Sequence, residues 1–313
     1  MARHAGSPDL AAPASGALPI TPDGPRARLL AGLPLTDRRL SLNGVHTAVL
    51  EGGDGPPLVL LHGPGAYGLQ WLRVLPGLLT THRVVAPDLP GHGESGPLVG
   101  AADLDLVSGW LDDLIECTCP TPPVLVGHTL GGAIAAGFAA ERGERLAALV
   151  LVDTLGLTEF RPAHEFGVAL NEYLSAPGAQ TLDRLWGECL FDLPAARSGM
   201  GELWDAVNAY NLDRVLAPGR LAALLSLMAR FGTPAIPAEV LASIAVPTTL
   251  IWGRHDRATP LSVAEEASRR FRWPLEVIEG AADDPALERP DAFLDALRAQ
   301  LESAGRRAQP PRR

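Results

Sequence analysis

Lysine is missing altogether: the 26 basic side chains of this 313-residue chain are all arginines. A Schiff-base mechanism, which needs a nucleophilic lysine amine, is therefore excluded. Cysteine is scarce. Cys117, Cys119 and Cys189 are too few for a disulfide framework and lack metal-ligand spacing, so neither a metal nor a secreted scaffold is expected, and a cytoplasmic setting is. No apolar stretch approaches the roughly 18 residues of a membrane span. The segment from Met1 to about Pro34 has no apolar run after a basic start, as a targeting peptide would, and reads as a flexible arm. The arginines form no stripe and the net charge is −10, which argues against nucleic acid or an anionic membrane as a partner.

What is present is apolar: 47% of the residues are hydrophobic, enough for one large core with an inserted subdomain. Arg39–Leu42 and His46–Leu50 alternate around Asn43-Gly44, as a hairpin does. Pro57–Leu61, Arg83–Ala86, Val124–Val126, Leu149–Val152 and Thr248–Trp252 are short continuous apolar runs, the signature of strands covered on both faces. Helical spacing separates them. An α/β fold follows, with a mostly parallel, doubly wound sheet of about eight strands and polar chemistry at the strands' carboxyl ends. The interval between Asp153 and Val246 is too long for one crossover. It reads as several helices (Glu165–Leu174, Thr181–Leu190, Glu202–Asn211, Arg220–Phe231) broken at proline and glycine. The expected organisation is an arm over 1–36, a core over 37–153 and 246–304, a helical insertion over 154–245 and a tail over 305–313.

Four loops carry the candidate chemistry. Leu61-His62-Gly63-Pro64-Gly65 can turn sharply enough to aim an amide at a developing oxyanion, although Pro64 has no N–H to offer. Asp88-Leu89-Pro90-Gly91-His92-Gly93-Glu94-Ser95 reads as an architectural turn. Gly127-His128-Thr129-Leu130-Gly131 has the glycine pattern of a strand-to-helix elbow that strains its central residue. The fourth follows the Thr248–Trp252 strand and presents Asp256.

Together with Gly280-Ala281-Ala282-Asp283-Asp284-Pro285-Ala286-Leu287-Glu288-Arg289-Pro290-Asp291-Ala292-Phe293, these loops resemble the α/β-hydrolase fold superfamily, over about Leu40 to Ser303. The last segment is similar to G-x-G-H-x-P-x-x-E-x-P-x-x-F, which carries the family's catalytic base. The resemblance implies a helical cap over the active site, a nucleophile at position 129, an acid at Asp256 and a histidine at position 283. This chain has threonine at the first and aspartate at the last, so the catalytic triad is degenerate. Thr129, Asp256 and Asp283 are the expected catalytic positions. His62, Gly63, Gly65, Leu130, His164 and Trp186 are expected to face substrate, with His164 the cap histidine considered as a replacement base.

Three readings follow. A hydrolase of esters or carbon–carbon bonds would have to work with a rewired site. A ligand-binding pseudoenzyme would keep only the pocket. A non-hydrolytic enzyme of cyclase, isomerase or lyase type, needing no cofactor and acting on an apolar small molecule such as a natural-product intermediate, is favoured: Asp256 and Asp283 pushed together would leave one carboxyl protonated. Cap residues such as Trp186 and Trp204 are expected to line the pocket or a homodimer contact.

Overall fold

The computed structural model describes residues 24–98, 100 and 102–308. Its centre is one eight-stranded sheet: β1 (Thr36–Leu42), β2 (Val45–Gly52), β3 (Pro57–Leu61), β4 (Arg83–Pro87), β5 (Val124–His128), β6 (Ala148–Val152), β7 (Thr248–Gly253) and β8 (Leu275–Ile278). The order across it is β1-β2-β4-β3-β5-β6-β7-β8. β1 and β2 form the hairpin, turning at Asn43 and Gly44, both at positive φ, and β2 runs antiparallel to β4. Every other pairing is parallel.

The apolar runs are continuous because both sheet faces are covered. Side chains alternate across a strand, so Leu58, Leu60, Val126, Val150 and Ile251 enter one hydrophobic layer, while Val59, Leu61, Leu125, Leu151 and Trp252 enter the other. Burial of each such side chain contributes about 1.5–3 kcal/mol. This double layer holds the strand ends rigid, and the loops leaving those ends build the site.

Helices His164–Ser175, Ala179–Cys189, Leu193–Met200, Leu203–Leu216, Arg220–Leu227 and Ala238–Ala242 fill the interval between β6 and β7. Two were not foreseen. Pro194 reads as a breaker, but it sits in the first turn of Leu193–Met200, where its missing N–H costs nothing, and Asp192 caps that turn through Ala195 N at 2.9 Å. Ala238–Ala242 is too short to show a period. No single helix among the described residues is long and apolar enough to cross a membrane; one bent pair in the insertion passes by length and composition.

Both ends of the chain depart from expectation. Residues 24–36 are not a free arm: Pro25–Leu30 is helical, and Arg26, 3% exposed, lies between Asp37 (3.2 Å) and Asp88 (3.6 Å) and donates to Tyr210 Oη (3.2 Å). The arm's end thus ties the helical insertion to the sheet. At the other end the closing helix runs Pro290–Ala308, past the expected start of the tail at 305. Residues 1–23 and 309–313, the remainder of the expected arm and tail, lie outside the described residues.

Candidate active site

β5 ends at His128, and the helix Leu130–Arg142 starts one residue after Thr129. Thr129 sits between them at φ 44°, ψ −107°, a backbone conformation that costs a β-branched residue about 1–3 kcal/mol. Neighbouring loops hold it there: Thr129 N–H donates to Val152 O (2.9 Å), and Thr129 O accepts from Leu155 N (3.2 Å) and Thr154 Oγ1 (3.2 Å). Gly63 passes so close that a Cβ there would lie 2.5 Å from Thr129 Oγ1, so only glycine fits.

The imidazole beside Thr129 belongs to His128, whose Nδ1 lies 3.5 Å from Thr129 Oγ1. It is not free to act as a base. His128 Nε2 donates to the carbonyl of Asp283 at 2.6 Å, so its proton is on Nε2 and Nδ1 must accept. Gln70 Nε2 supplies that bond at 2.8 Å. The Gln70 amide cannot be reversed, because its Oε1 accepts from Gly63 N (2.8 Å) while Nε2 also donates to Asp284 Oδ2 (3.0 Å). A closed network therefore occupies both His128 and the Gly63 amide. Pro64 has no N–H, so Leu130 N, in the first turn of its helix, is the amide left at the elbow for an oxyanion.

Behind this network the site is rich in carboxyl groups. Asp256 Oδ1 accepts from Ala258 N (2.7 Å) and Thr259 N (2.9 Å), and Asp153 Oδ1 accepts from Gly253 N (2.8 Å). The Oδ2 atoms of both are covered and without another donor. Burial, then Asp256, raises Asp153 far above the usual carboxylate range; burial pushes Asp256 up to about 7, opposed by the backbone donors of Thr259 and Ala258. Two buried carboxyls in each other's field favour each other's neutral form. Asp283 donates its N–H to Cys189 O (3.0 Å), and its Oδ1 is covered with no partner. Burial, then the charge of Asp256, pushes Asp283 up to about 8. Both effects favour its neutral form.

Glu288 accepts from Ala282 N and Phe191 N, each at 2.6 Å, and burial pushes it to about 7. It ties the Asp283 loop to the end of the Ala179–Cys189 helix. Asp284 does not face water: it caps Pro285–Glu288 through Leu287 N and accepts from Gln70.

A cavity of about 360 Å³ lies above Thr129, walled by apolar residues of the helical insertion, among them Leu182, Trp186, Leu224 and Met228. Thr129, Gly63, Gly65, Trp186 and Asp283 line it. Asp256 does not and stands behind Asp283. Three expectations are corrected. His62 is fully buried, with Nδ1–H donating to Gly63 O (2.8 Å) and Nε2 accepting from Leu89 N (2.9 Å), so it holds loops and does not face the cavity. Leu130 packs its side chain into the core and does not line the cavity. His164 is exposed at the start of its helix and away from the cavity wall, so it is no replacement base. Trp204 lies behind Trp186, ring centroids 5.4 Å apart, in the core. Sequence reasoning missed Asp153, Gln70 and the role of His128. Asp153 left one signal, an acidic residue at the carboxyl end of an apolar strand.

These carboxyls set a pH dependence. A carboxyl with a raised folded pKa keeps its proton when the unfolded chain has released it, so stability falls as pH rises from about 4 through the folded value. Below about pH 6.5 this is opposed by His62 and His92, whose pKa values burial lowers and which the unfolded chain protonates more readily. Above it the raised carboxyls, Asp153, Asp256, Asp283 and Glu288 among them, are no longer opposed by the histidines. One retained proton is worth about 1.4 kcal/mol per pH unit, so urea melts should show a loss of about 1–3 kcal/mol between pH 6.5 and 8.5. Equal or greater stability at pH 8.5 would contradict this protonation scheme.

A strained strand-to-helix elbow, a glycine-proline loop facing it and carboxyls at the ends of β6 and β7 define the class. The chain belongs to the alpha/beta hydrolase family, whose model matches residues 58–296. It is 30% identical over 268 residues to a pimeloyl-[acyl-carrier protein] methyl ester esterase of Chromobacterium violaceum, covering 80% of this chain and 96% of that one. It is 32% identical over 226 residues to a magnesium-chelatase 30 kDa subunit of Rhodobacter capsulatus, covering 69% and 76%. Among solved structures, a bacterial membrane phospholipase A superposes with a TM-score of 0.74 at 26% identity, covering 89% of each chain.

Proposed function

We propose that this family member is an enzyme that moves a proton on an apolar small molecule, as an isomerase, lyase or cyclase does, without forming an acyl-enzyme. One observation carries the reading: Asp283 lines the cavity with a covered oxygen that has no partner, its burial and the nearby Asp256 favouring the protonated acid, while Thr129 Oγ1 has no free base in reach. In this scheme Thr129 O–H and Leu130 N–H hold a substrate carbonyl, and Asp283 delivers its proton to it or to a conjugated carbon. The resulting carboxylate takes a proton from another carbon, which restores the acid and balances the cycle. Apolar walls keep water from competing.

Ester hydrolysis is the second reading, favoured by the methyl ester esterase relative. It needs an activated alcohol at position 129. A fluorophosphonate probe and a panel of nitrophenyl esters separate the two. No labelling of Thr129 is expected, nor ester turnover above that of Thr129→Ala; stoichiometric labelling of Thr129 would overturn the proposal in favour of hydrolysis.

A further inference from the structure

Among the described residues, one arginine on the cavity wall makes no ion pair. Arg220 begins the helix Arg220–Leu227 and is half-buried, and its Nη1 donates to the carbonyls of Ser95 and His92. Neighbouring carboxylates are already engaged. Arg26 pairs with Asp37 and Asp88; Arg214 pairs with Glu94 (3.1 Å) and Asp213 (2.7 Å), and Glu94 also accepts from Tyr210 Oη (2.8 Å). Arg214 shares the cavity wall and is buried, with Nε covered and lacking an acceptor. Burial, then the charge of Arg214, presses the pKa of Arg220 down, and the already paired Glu94 and Asp88 oppose this only in part. A guanidinium facing an apolar space under these conditions is stabilised by an anion that desolvates with it.

The position is fixed. Ala223 packs on Gly91 so closely that a Cβ at Gly91 would lie 2.3 Å from Ala223 Cβ, which holds the helix against the 88–95 loop. Leu224, one turn beyond Arg220 and on the same face, lies over Gly65. Because Nη1 is turned to the two carbonyls, the Nε–Nη2 edge of Arg220 is the fork left open, and a planar carboxylate matches such an edge in two parallel bonds.

We propose that Arg220, with Arg214 beside it, is an anion subsite that holds the carboxylate of an otherwise apolar acid whose body runs past Leu224 toward Thr129 and Asp283. This deepens the proposed function and rests on its reading of the cavity as the substrate site. Calorimetric titration of the full chain with decanoate and with decanol tests it. Decanoate should bind at least tenfold more tightly, and the advantage should shrink with added salt. Arg220→Gln should bring the two ligands to within about twofold, whereas Arg220→Lys should recover part of the preference. Equal binding of acid and alcohol by the native protein, no binding of either, or a preference that survives in Arg220→Gln would overturn the subsite. Asp283→Asn separates this claim from the proton-transfer reading: decanoate preference through Arg220 with undiminished turnover in Asp283→Asn would leave the subsite standing and remove only that reading.

Discussion

Replacement of Asp283 by asparagine is expected to lower turnover of the native substrate by about 10²–10⁴-fold, the usual contribution of a positioned general acid. Asparagine keeps the volume and can still donate a hydrogen bond, but it has no proton to transfer. The loss should therefore fall on kcat, with KM little changed. The native rate should also fall as pH rises through about 8, where Asp283 ionises under the competing influences of burial and Asp256. The variant's remaining rate should lack that inflection. In the same variant the stability lost between pH 6.5 and 8.5 should shrink, because a group that resists ionisation has been removed. Native-like kcat in Asp283→Asn would exclude proton transfer from this residue.

Thr129→Ser combined with Asp283→His is expected to create ester hydrolysis, raising nitrophenyl butyrate turnover about 10²–10³-fold over the native protein. Serine relieves the crowding of a β-branched side chain at φ 44°. A histidine at 283 would stand next to Asp256, which can orient it and stabilise its cation. The gain should stay well below that of an intact triad, because Pro64 withholds an oxyanion donor and each such donor is worth about 10²–10³-fold. Thr129→Ser alone should do almost nothing: the lone pair of His128 is already held by Gln70. Equal activity in the single and double variants would show that His128 can act as the base.

Much of the fold was legible because the strands are covered on both faces. Pro57–Leu61 coincides with its apolar run, and the runs Arg83–Ala86, Leu149–Val152 and Thr248–Trp252 fall short of their strands by a single residue. The elements that were missed are ones in which local chemistry outweighs periodicity. Pro194 starts a helix where it reads as a break, and Pro25–Leu30 is a single turn whose order comes from the buried Arg26. The loops that carry positions 129, 256 and 283 were legible because glycines and prolines mark them. His62, Leu130 and His164 were misplaced because adjacency in the chain says nothing about which way a side chain turns.

From the chain alone came the parallel sheet and the loops at its carboxyl ends, with threonine at position 129 and aspartate at position 283. All of these follow from short-range patterns: apolar runs, turn residues and spacing. Only the tertiary structure brought Asp153 near Asp256, closed Gln70 between Gly63, His128 and Asp284, and left Arg220 on an apolar wall without an ion pair among the described residues. Most of those relations join residues tens to hundreds of positions apart. They decide which groups keep a proton, because burial and neighbouring charge, which no single segment carries, set the protonation of a carboxyl.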